Sequence, residues 1–270
     1  MDLMERTFGV RKPVIAMLHL TGLPGRPWHD VAAGMDRCVD VVGRDLRVLQ
    51  DAGVDGVMFC NEQDLPYQLK VGPEVVAAMA SVVGQLKGEV RIPFGVNLLW
   101  DAIASLAVAR ATGAAFVREV MTGVYESDLG MIEPSFGEIG GYRTAIGATG
   151  VLLFDNIQPE FASAIGSRSV ADRAKGAAFL GADAILISGP AAGTQLDMGH
   201  LRAAREAVPG TPVIANTGVR ADSIEEIFRI ADGAIVGTSL KRDGNTWNEV
   251  EPDRAKRLVD AAGRARAAAG

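Results

Sequence analysis

The chain has 270 residues, 48% of them apolar and 22% charged, which is typical of a globular protein with enough apolar residues for one large core. Its 27 basic and 33 acidic residues give a net charge of −6, and no basic stripe is present, which argues against nucleic-acid binding. Two cysteines make no disulfide framework and no apolar run is long enough for a membrane span, so we expect a reduced, cytoplasmic protein.

Short apolar runs alternate along the chain with longer segments of helical periodicity. The runs are too continuous for half-exposed strands and are typical of the buried strands of a parallel sheet. Eight such strands are predicted, at residues 14–20, 55–61, 92–99, 114–120, 150–156, 183–189, 212–218 and 232–240.

Helices are predicted between most of these strands. In the segment 35–50, apolar residues recur three and four apart, as on the buried face of a helix. Other helices are placed by residues typical of a first turn or a cap: Pro73 for the second, Asp101 for the third, Asp222 for the seventh and Asp253 for the eighth. The segment 121–146 is the least regular, and its first part predicts a long loop after the fourth strand.

Eight strands interleaved with helices form either a closed barrel or an open, doubly wound sheet. The dinucleotide-binding pattern GxGxxG is absent after the first strand, which weakens the case for the open sheet. The length of 270 residues is near that of a one-domain barrel. We therefore predict an α/β fold, a single (β/α)8 TIM barrel over residues 1–270.

Polar residues accumulate at the carboxyl ends of the predicted strands, where the active sites of such barrels form. Burying them unpaired costs about 1–3 kcal/mol each, so the set as a whole predicts a site. The candidate catalytic residues are His19, Glu62, Asn97, Glu119 and Asp155. The three carboxylates can act as acid and base, or can hold a divalent cation with His19 or Asn97. Arg118 and Glu119 are adjacent, so only one can face the barrel interior.

Glycine-containing sequences end the last two predicted strands. Asn216, Thr217 and Gly218 end the seventh, and Gly237 and Thr238 end the eighth. Glycines let the backbone approach a ligand closely, and free backbone N–H groups attract anions. Barrels often bind a phosphate between these two loops. The sequence therefore predicts a phosphate site here, and the loop after the sixth strand, beginning at Ser188 and Gly189 and reaching residue 194, is predicted to add a third wall.

Stretches spread over nearly the whole chain resemble the BtpA/SgcQ family. They are residues 17–20, 23–25, 61–62, 95–97, 122–123, 128–130, 187–190 and 233–241, with Asp243, Gly244 and Asn248. The resemblance implies a barrel like those that bind ribulose phosphate, and the family name comes from a proposed role in photosystem I biogenesis. Relatives tend to carry Lys and His shortly after the fifth strand, whereas here Asp155 is followed by residues 156–160 without either. If these two residues bind substrate in the relatives, the resemblance implies that this protein has a different substrate or reaction.

Three functions are compatible with these residues. The first is an isomerase or lyase acting on a small phosphorylated metabolite, such as a sugar phosphate or a nucleotide-like compound. The second is a non-catalytic assembly or stability factor of the kind that the family name suggests. The third is a metal-dependent hydrolase that uses the carboxylates. The sequence leaves open the need for a divalent metal and the formation of a homo-oligomer.

Overall fold

Eight parallel strands close into a barrel in the computed structural model, which describes residues 1–191 and 194–269. The barrel strands are β1 (Val14–His19), β2 (Gly56–Cys60), β3 (Phe94–Asn97), β4 (Phe116–Glu119), β7 (Leu152–Asn156), β9 (Ala184–Ser188), β10 (Val213–Asn216) and β11 (Gly233–Val236). The first and last strands pair in parallel, with Ile15 opposite Ile235, and this pairing closes the barrel. Each strand lies within one of the eight predicted runs, and the predicted TIM barrel is confirmed.

Nine α-helices occur in the described residues, and eight of them lie between or after the barrel strands. They are α1 (Leu3–Phe8), α2 (Gly34–Ala52), α3 (Pro73–Leu86), α4 (Ala102–Thr112), α5 (Phe136–Ala145), α6 (Val170–Leu180), α7 (Met198–Ala207), α8 (Ile224–Phe228) and α9 (Pro252–Ala269). The strands are buried on both faces, because one face meets these helices and the other meets the barrel centre. This double burial is why the strands read as continuous apolar runs.

Aromatic and aliphatic side chains fill the barrel centre. Phe116 and Phe154 stack with ring centroids 4.7 Å apart, and Phe8 of α1 meets Phe116 edge-on at 5.7 Å. Helix α1 precedes β1, so it contributes to the core at the amino ends of the strands. Polar side chains lie at the opposite end of the barrel, at the carboxyl ends of the strands.

The predicted helix starts are correct at three positions and wrong at one. Helix α3 begins at Pro73, Asp253 lies in the first turn of α9, and Asp101 caps α4 by accepting a hydrogen bond from Ala104 N at 2.9 Å. Asp222 does not cap α8, which starts at Ile224 after Ser223. A turn delays the helix there, because the Arg220 carbonyl already accepts the amides of Ser223 and Ile224.

A small antiparallel sheet replaces the long loop predicted after the fourth strand. Strands β5 (Tyr125–Ser127) and β6 (Gly130–Ile132) form a hairpin, and β8 (Ala162–Ala164) joins the other side of β5. Tyr125 and Ile132 on one face are buried and pack with Trp100. The opposite face carries Met131, which is 45% exposed. Strands of three residues carry too little periodicity to be predicted from sequence.

Candidate functional site

A cavity of ≈ 680 Å³ lies at the carboxyl ends of the barrel strands. The residues that follow β10 and β11 form one side of it, and a loop containing residues 244–246 forms another. From the predicted set, His19, Glu62, Asn216, Thr217, Gly218, Gly237 and Thr238 line the cavity. Thr194, the last residue of the predicted third wall, also lines it. The lining residues that the prediction did not include are Met17, Arg118, Glu160, Val219, Arg220, Ile235, Ser239, Gly244, Asn245, Thr246 and Arg254.

His19 and Glu62 face each other in this cavity. His19 Nε2 lies 4.0 Å from Glu62 Oε2, and His19 Nδ1 lies 3.4 Å from the carbonyl oxygen of Thr246. A carbonyl oxygen can only accept, so this contact places a proton on Nδ1 and leaves Nε2 as the basic nitrogen. The Tyr67 hydroxyl donates to the Glu62 backbone carbonyl at 3.0 Å, which holds the residue in place.

Burial shifts the pKa values of this pair in opposite directions. Burial lowers the pKa of His19 well below its ordinary value of 6.5, and the positive charges of Lys241 and Arg118 lower it further. Burial raises the pKa of Glu62 above 4.5, although the Arg118 charge opposes the shift. The environment therefore favours a neutral imidazole beside a carboxyl group that keeps its proton more readily than usual. Such a pair is suited to accept a proton and to donate another.

Arg118 and Glu160 form a buried ion pair on the cavity wall. Arg118 Nη2 donates to Glu160 Oε1 at 3.1 Å, and Arg118 Nη1 donates to Asn97 Oδ1 at 3.0 Å. Burial alone would lower the pKa of Arg118, but the charge of Glu160 and neighbouring acidic groups outweighs burial and raises it. Glu160 also accepts from the Thr217 hydroxyl, so it ties Arg118 to the loop after β10.

The loops after β10 and β11 bring backbone close to the cavity. Thr217 and Gly218 adopt consecutive left-handed conformations, with φ of 67° and 78°. A Cβ atom on Gly218 would lie only 2.0 Å from the carbonyl oxygen of Thr194, so only glycine fits there. At Gly237 a Cβ atom would lie 3.4 Å from His19 Nε2, which shows how close this loop is to the imidazole. Of the predicted third wall, Ala192 and Gly193 lie outside the described residues.

Three predicted catalytic residues do not line the cavity. Asn97 lies next to Arg118, to which it is hydrogen bonded. Glu119 points to the helix side, where it accepts from Ser105 Oγ at 3.1 Å and from Trp100 N at 3.0 Å. Asp155 accepts from Met121 N at 2.8 Å and Thr122 Oγ1 at 2.6 Å. Glu119 thus holds the loop that follows β3, and Asp155 holds the loop that follows β4.

Both supporting carboxyl groups have raised pKa values. Burial raises the pKa of Asp155 to about 6, against the opposing effect of the hydrogen bonds from Thr122 and Met121. Burial raises the pKa of Glu119 to about 8, against the opposing charge of Arg118. Because neither carboxyl reaches the cavity, these shifts reflect burial within the protein wall.

The predicted residues Ser188 and Gly189 also lie outside the cavity lining. The Ser188 hydroxyl donates to Asn156 Oδ1 at 3.2 Å and accepts from Asn216 Nδ2 at 2.7 Å. It therefore holds the Asn216 side chain in place. A Cβ atom on Gly189 would lie 2.8 Å from the Thr194 carbonyl oxygen, so this glycine allows two chain segments to meet. Ser188 thus supports the end of β10, and Gly189 supports the third wall.

Replacing Glu160 with glutamine should destabilise the protein by about 3–5 kcal/mol, because it leaves the buried charge of Arg118 uncompensated. The side chains of Arg118 and Glu160 are only 9% and 12% exposed, so water cannot substitute for the lost carboxylate. Urea unfolding at pH 7 measures the change. Glu225→Gln is the matched control, since its ion pair with Arg229 is exposed and should contribute less than about 0.5 kcal/mol. Equal effects of the two variants would contradict this assignment.

No group of three or more His, Cys, Asp or Glu side chains in residues 1–191 and 194–269 is arranged so that it could hold a metal ion. Over the same residues, no helix is long and apolar enough to cross a membrane.

The closed eight-stranded barrel, with its cavity at the carboxyl ends of the strands, defines a TIM-barrel protein. Residues 10–264 match the BtpA family, and the chain belongs to this family.

Two curated relatives match over nearly their full length. The sgc region protein SgcQ of Escherichia coli is 45% identical over 261 residues, which cover 96% of this chain and 97% of the relative. The photosystem I biogenesis protein BtpA of Synechocystis sp. is 34% identical over 266 residues, which cover 97% of this chain and 91% of the relative. A solved thiamine phosphate pyrophosphorylase from Pyrococcus furiosus has the same fold, with a TM-score of 0.59, 16% identity and coverage of 94% and 96% of the two chains.

Proposed function

We propose that this protein is an enzyme that acts on a small phosphorylated metabolite, such as a sugar phosphate or a nucleotide-like compound, as an isomerase or lyase. The observation that carries this proposal is the contact between the predicted phosphate loop and the acid–base pair. Gly237 lies beside His19, and Glu62 lies 4.0 Å from the same imidazole. A ligand whose phosphate occupies the loops would therefore place its adjoining carbon atoms near His19 and Glu62.

The phosphate would lie against the backbone of Gly218, Gly237 and Thr238, where glycines permit close approach. Arg220 and Arg254 also line the cavity and bring positive charge to it. Positive charge and backbone N–H groups together favour a dianionic group. The solved barrel of similar fold is named for a phosphorylated compound, which supports this class of ligand.

The proton transfers follow from the protonation states of the pair. Neutral His19 would remove a proton from the carbon next to a substrate carbonyl through Nε2, its basic nitrogen. The protonated carboxyl of Glu62 would give its proton to the carbonyl oxygen, so that charge does not accumulate on that oxygen. The Arg118 guanidinium on the cavity wall would stabilise the negative charge that develops during this step. To complete an isomerisation, the Glu62 carboxylate would take the proton from the hydroxyl on the carbon that His19 deprotonated, and His19 would return its proton to the former carbonyl carbon.

A thermal-shift screen tests the ligand class. Inorganic phosphate, sugar phosphates and nucleotides would be compared, each with and without Mg²⁺, Mn²⁺ or Zn²⁺. A ligand at 100 times its Kd adds about 2.7 kcal/mol, so one phosphorylated class should raise the Tm clearly. If none of these compounds shifts the Tm, the phosphate assignment fails. A shift caused by a metal alone would instead favour a metal-dependent hydrolase.

A second candidate function is partner binding, as in an assembly factor. One observation favours it: the outer face of the small sheet exposes apolar side chains, with Val124 42%, Met131 45% and Ile165 54% exposed. Exposed apolar clusters often mark contact surfaces. The relative from Synechocystis sp. carries the name of a photosystem I biogenesis protein. Two results together would favour this function. No compound in the screen would shift the Tm, and the protein would capture a partner that the Met131→Lys variant fails to capture.

A further inference from the structure

Two residues with unsatisfied hydrogen-bond donors line one small space beside the cavity. Within the described part of the chain, four buried side-chain nitrogens lack a protein acceptor, and two of them are Trp100 Nε1 and Arg118 Nε. An unsatisfied buried N–H group costs about 1–3 kcal/mol, so each calls for an explanation. The two residues are not neighbours in sequence, yet both side chains line the same small space.

This small space has a volume of ≈ 20 Å³. Its lining includes Trp100, Arg118, Glu119, Asn156 and Glu160. A site needs about 10–15 Å³ and two to four polar partners to hold one water molecule. The volume therefore suits a single water, and the lining offers both N–H donors and carboxylate or amide acceptors. Arg118 and Glu160 also line the 680 Å³ cavity, so these two side chains separate the two spaces.

The backbone at Trp100 supports a specific role for its indole. Trp100 has a φ of 74°, a left-handed conformation that costs an aromatic residue about 1–3 kcal/mol. Glu119 Oε2 accepts from Trp100 N at 3.0 Å, and Glu119 is itself held by Ser105 and Asn97. The surrounding structure thus enforces a strained conformation at a residue that lines the small space. Strain of this kind is typical of residues that position a functional group.

We propose that the small space is a binding site for one permanent water molecule that fixes Arg118 from behind. The water accepts hydrogen bonds from Trp100 Nε1–H and Arg118 Nε–H. Its own protons are donated to carboxylate or amide oxygens among Glu119, Asn156 and Glu160. With Nη1 bonded to Asn97, Nη2 to Glu160 and Nε to this water, the guanidinium is held in a single orientation toward the larger cavity.

The water site does not depend on the proposed function, and NMR can test it in the ligand-free protein. The chain has three tryptophans, so labelling with ¹⁵N-tryptophan gives three indole N–H signals, and Trp100→Phe assigns the signal of Trp100. Cross-relaxation between the indole proton and water is measured in the laboratory and rotating frames. A water that tumbles with the protein gives opposite signs in the two experiments, whereas chemical exchange gives the same sign. Trp28 and Trp247, which are 52% and 41% exposed, are the exchange controls.

We expect opposite signs for Trp100 and exchange behaviour for Trp28 and Trp247. A missing water contact at Trp100 would overturn the proposal. So would a contact that appears only after addition of inorganic phosphate, because the site would then belong to a ligand. Val120→Ile provides a second test, since Val120 lines the small space and the extra methylene should displace the water. The Trp100 signal should then persist without its water contact; an unchanged contact would show that the water lies elsewhere.

Discussion

Gly237→Leu should abolish stabilisation by phosphorylated ligands while leaving the protein folded. Gly237 has a φ of −122° and a ψ of −87°, a combination that residues other than glycine rarely adopt, so the substitution adds about 1–3 kcal/mol of backbone strain and lowers the Tm of the ligand-free protein. The new Cβ would lie 3.3 Å from Met17 Cγ and 3.4 Å from His19 Nε2, which is tight but tolerable. The rest of the leucine side chain must then extend into the cavity, where it occupies the space next to the predicted phosphate position.

The measurement is the Tm with and without the ligand found in the screen. Wild-type protein at 100 times Kd should gain roughly 5–10 °C, and Gly237→Leu should gain nothing measurable. Gly84→Leu is the matched control, because Gly84 lies in the second half of α3, is exposed and has open space around its Cβ position. It should respond to ligand as wild type does. An unchanged ligand response in Gly237→Leu would remove Gly237 from the binding site.

His19→Ala should reduce kcat by about 10²–10⁴-fold on the substrate that the screen identifies, because it removes the proposed base. Glu62→Gln should give a loss of similar size, since a glutamine can still hydrogen bond but cannot supply the proton. His200→Ala is the matched control, because His200 is exposed on α7 and should not affect kcat. Full activity in His19→Ala would refute the acid–base assignment.

The same assignment predicts the dependence of kcat/KM on pH. A base must be unprotonated, and the pKa of His19 lies well below 6.5, so the neutral imidazole already dominates at pH 7. Activity should therefore stay high as the pH falls to 6.5 and should decline only where His19 takes up a proton. An acidic limb centred above pH 6.5 would show that another group limits the reaction.

The barrel could be predicted from sequence because its strands are buried on both faces. Residues 184–187, for example, follow one another without a polar side chain, and only a parallel sheet covered on both sides needs eight such runs. The closeness of the two glycine-containing loops to the cavity could also be predicted, because Gly218 and Gly237 fall where two of these runs end. At these two positions the place at a strand end and the presence of glycine both indicate a loop that a ligand can approach closely.

The candidate catalytic residues were harder to predict, because a side chain at a strand end can face either the barrel centre or the surrounding helices. Side chains alternate along a strand, so Phe154 in the barrel centre places Asp155 on the outside. The register places Glu119 opposite Asp155, on the same outer side. The same alternation separates Arg118 from Glu119, and it places Asp155 on the outer face of β7.

Glu160 was beyond the reach of sequence reasoning. It lies four residues after β7, in an irregular segment whose path is determined by contacts distant in sequence. Its partners Arg118 and Thr217 lie 42 and 57 residues away along the chain. Only the assembled barrel brings these three together, and no periodicity or motif marks the position.

The closure of the barrel by β1 and β11 has a consequence for how the site is built during synthesis. His19 ends the first barrel strand, whereas Gly218 and Gly237 follow the last two. A nascent chain that has emerged only as far as β9 carries the proposed base but neither of the glycines that face it. One edge of β1 stays unpaired until its partner β11, in the carboxyl-terminal quarter of the chain, has left the ribosome. Truncated products of translation would therefore lack both proposed phosphate-binding loops, and their exposed strand edges would be targets for chaperones.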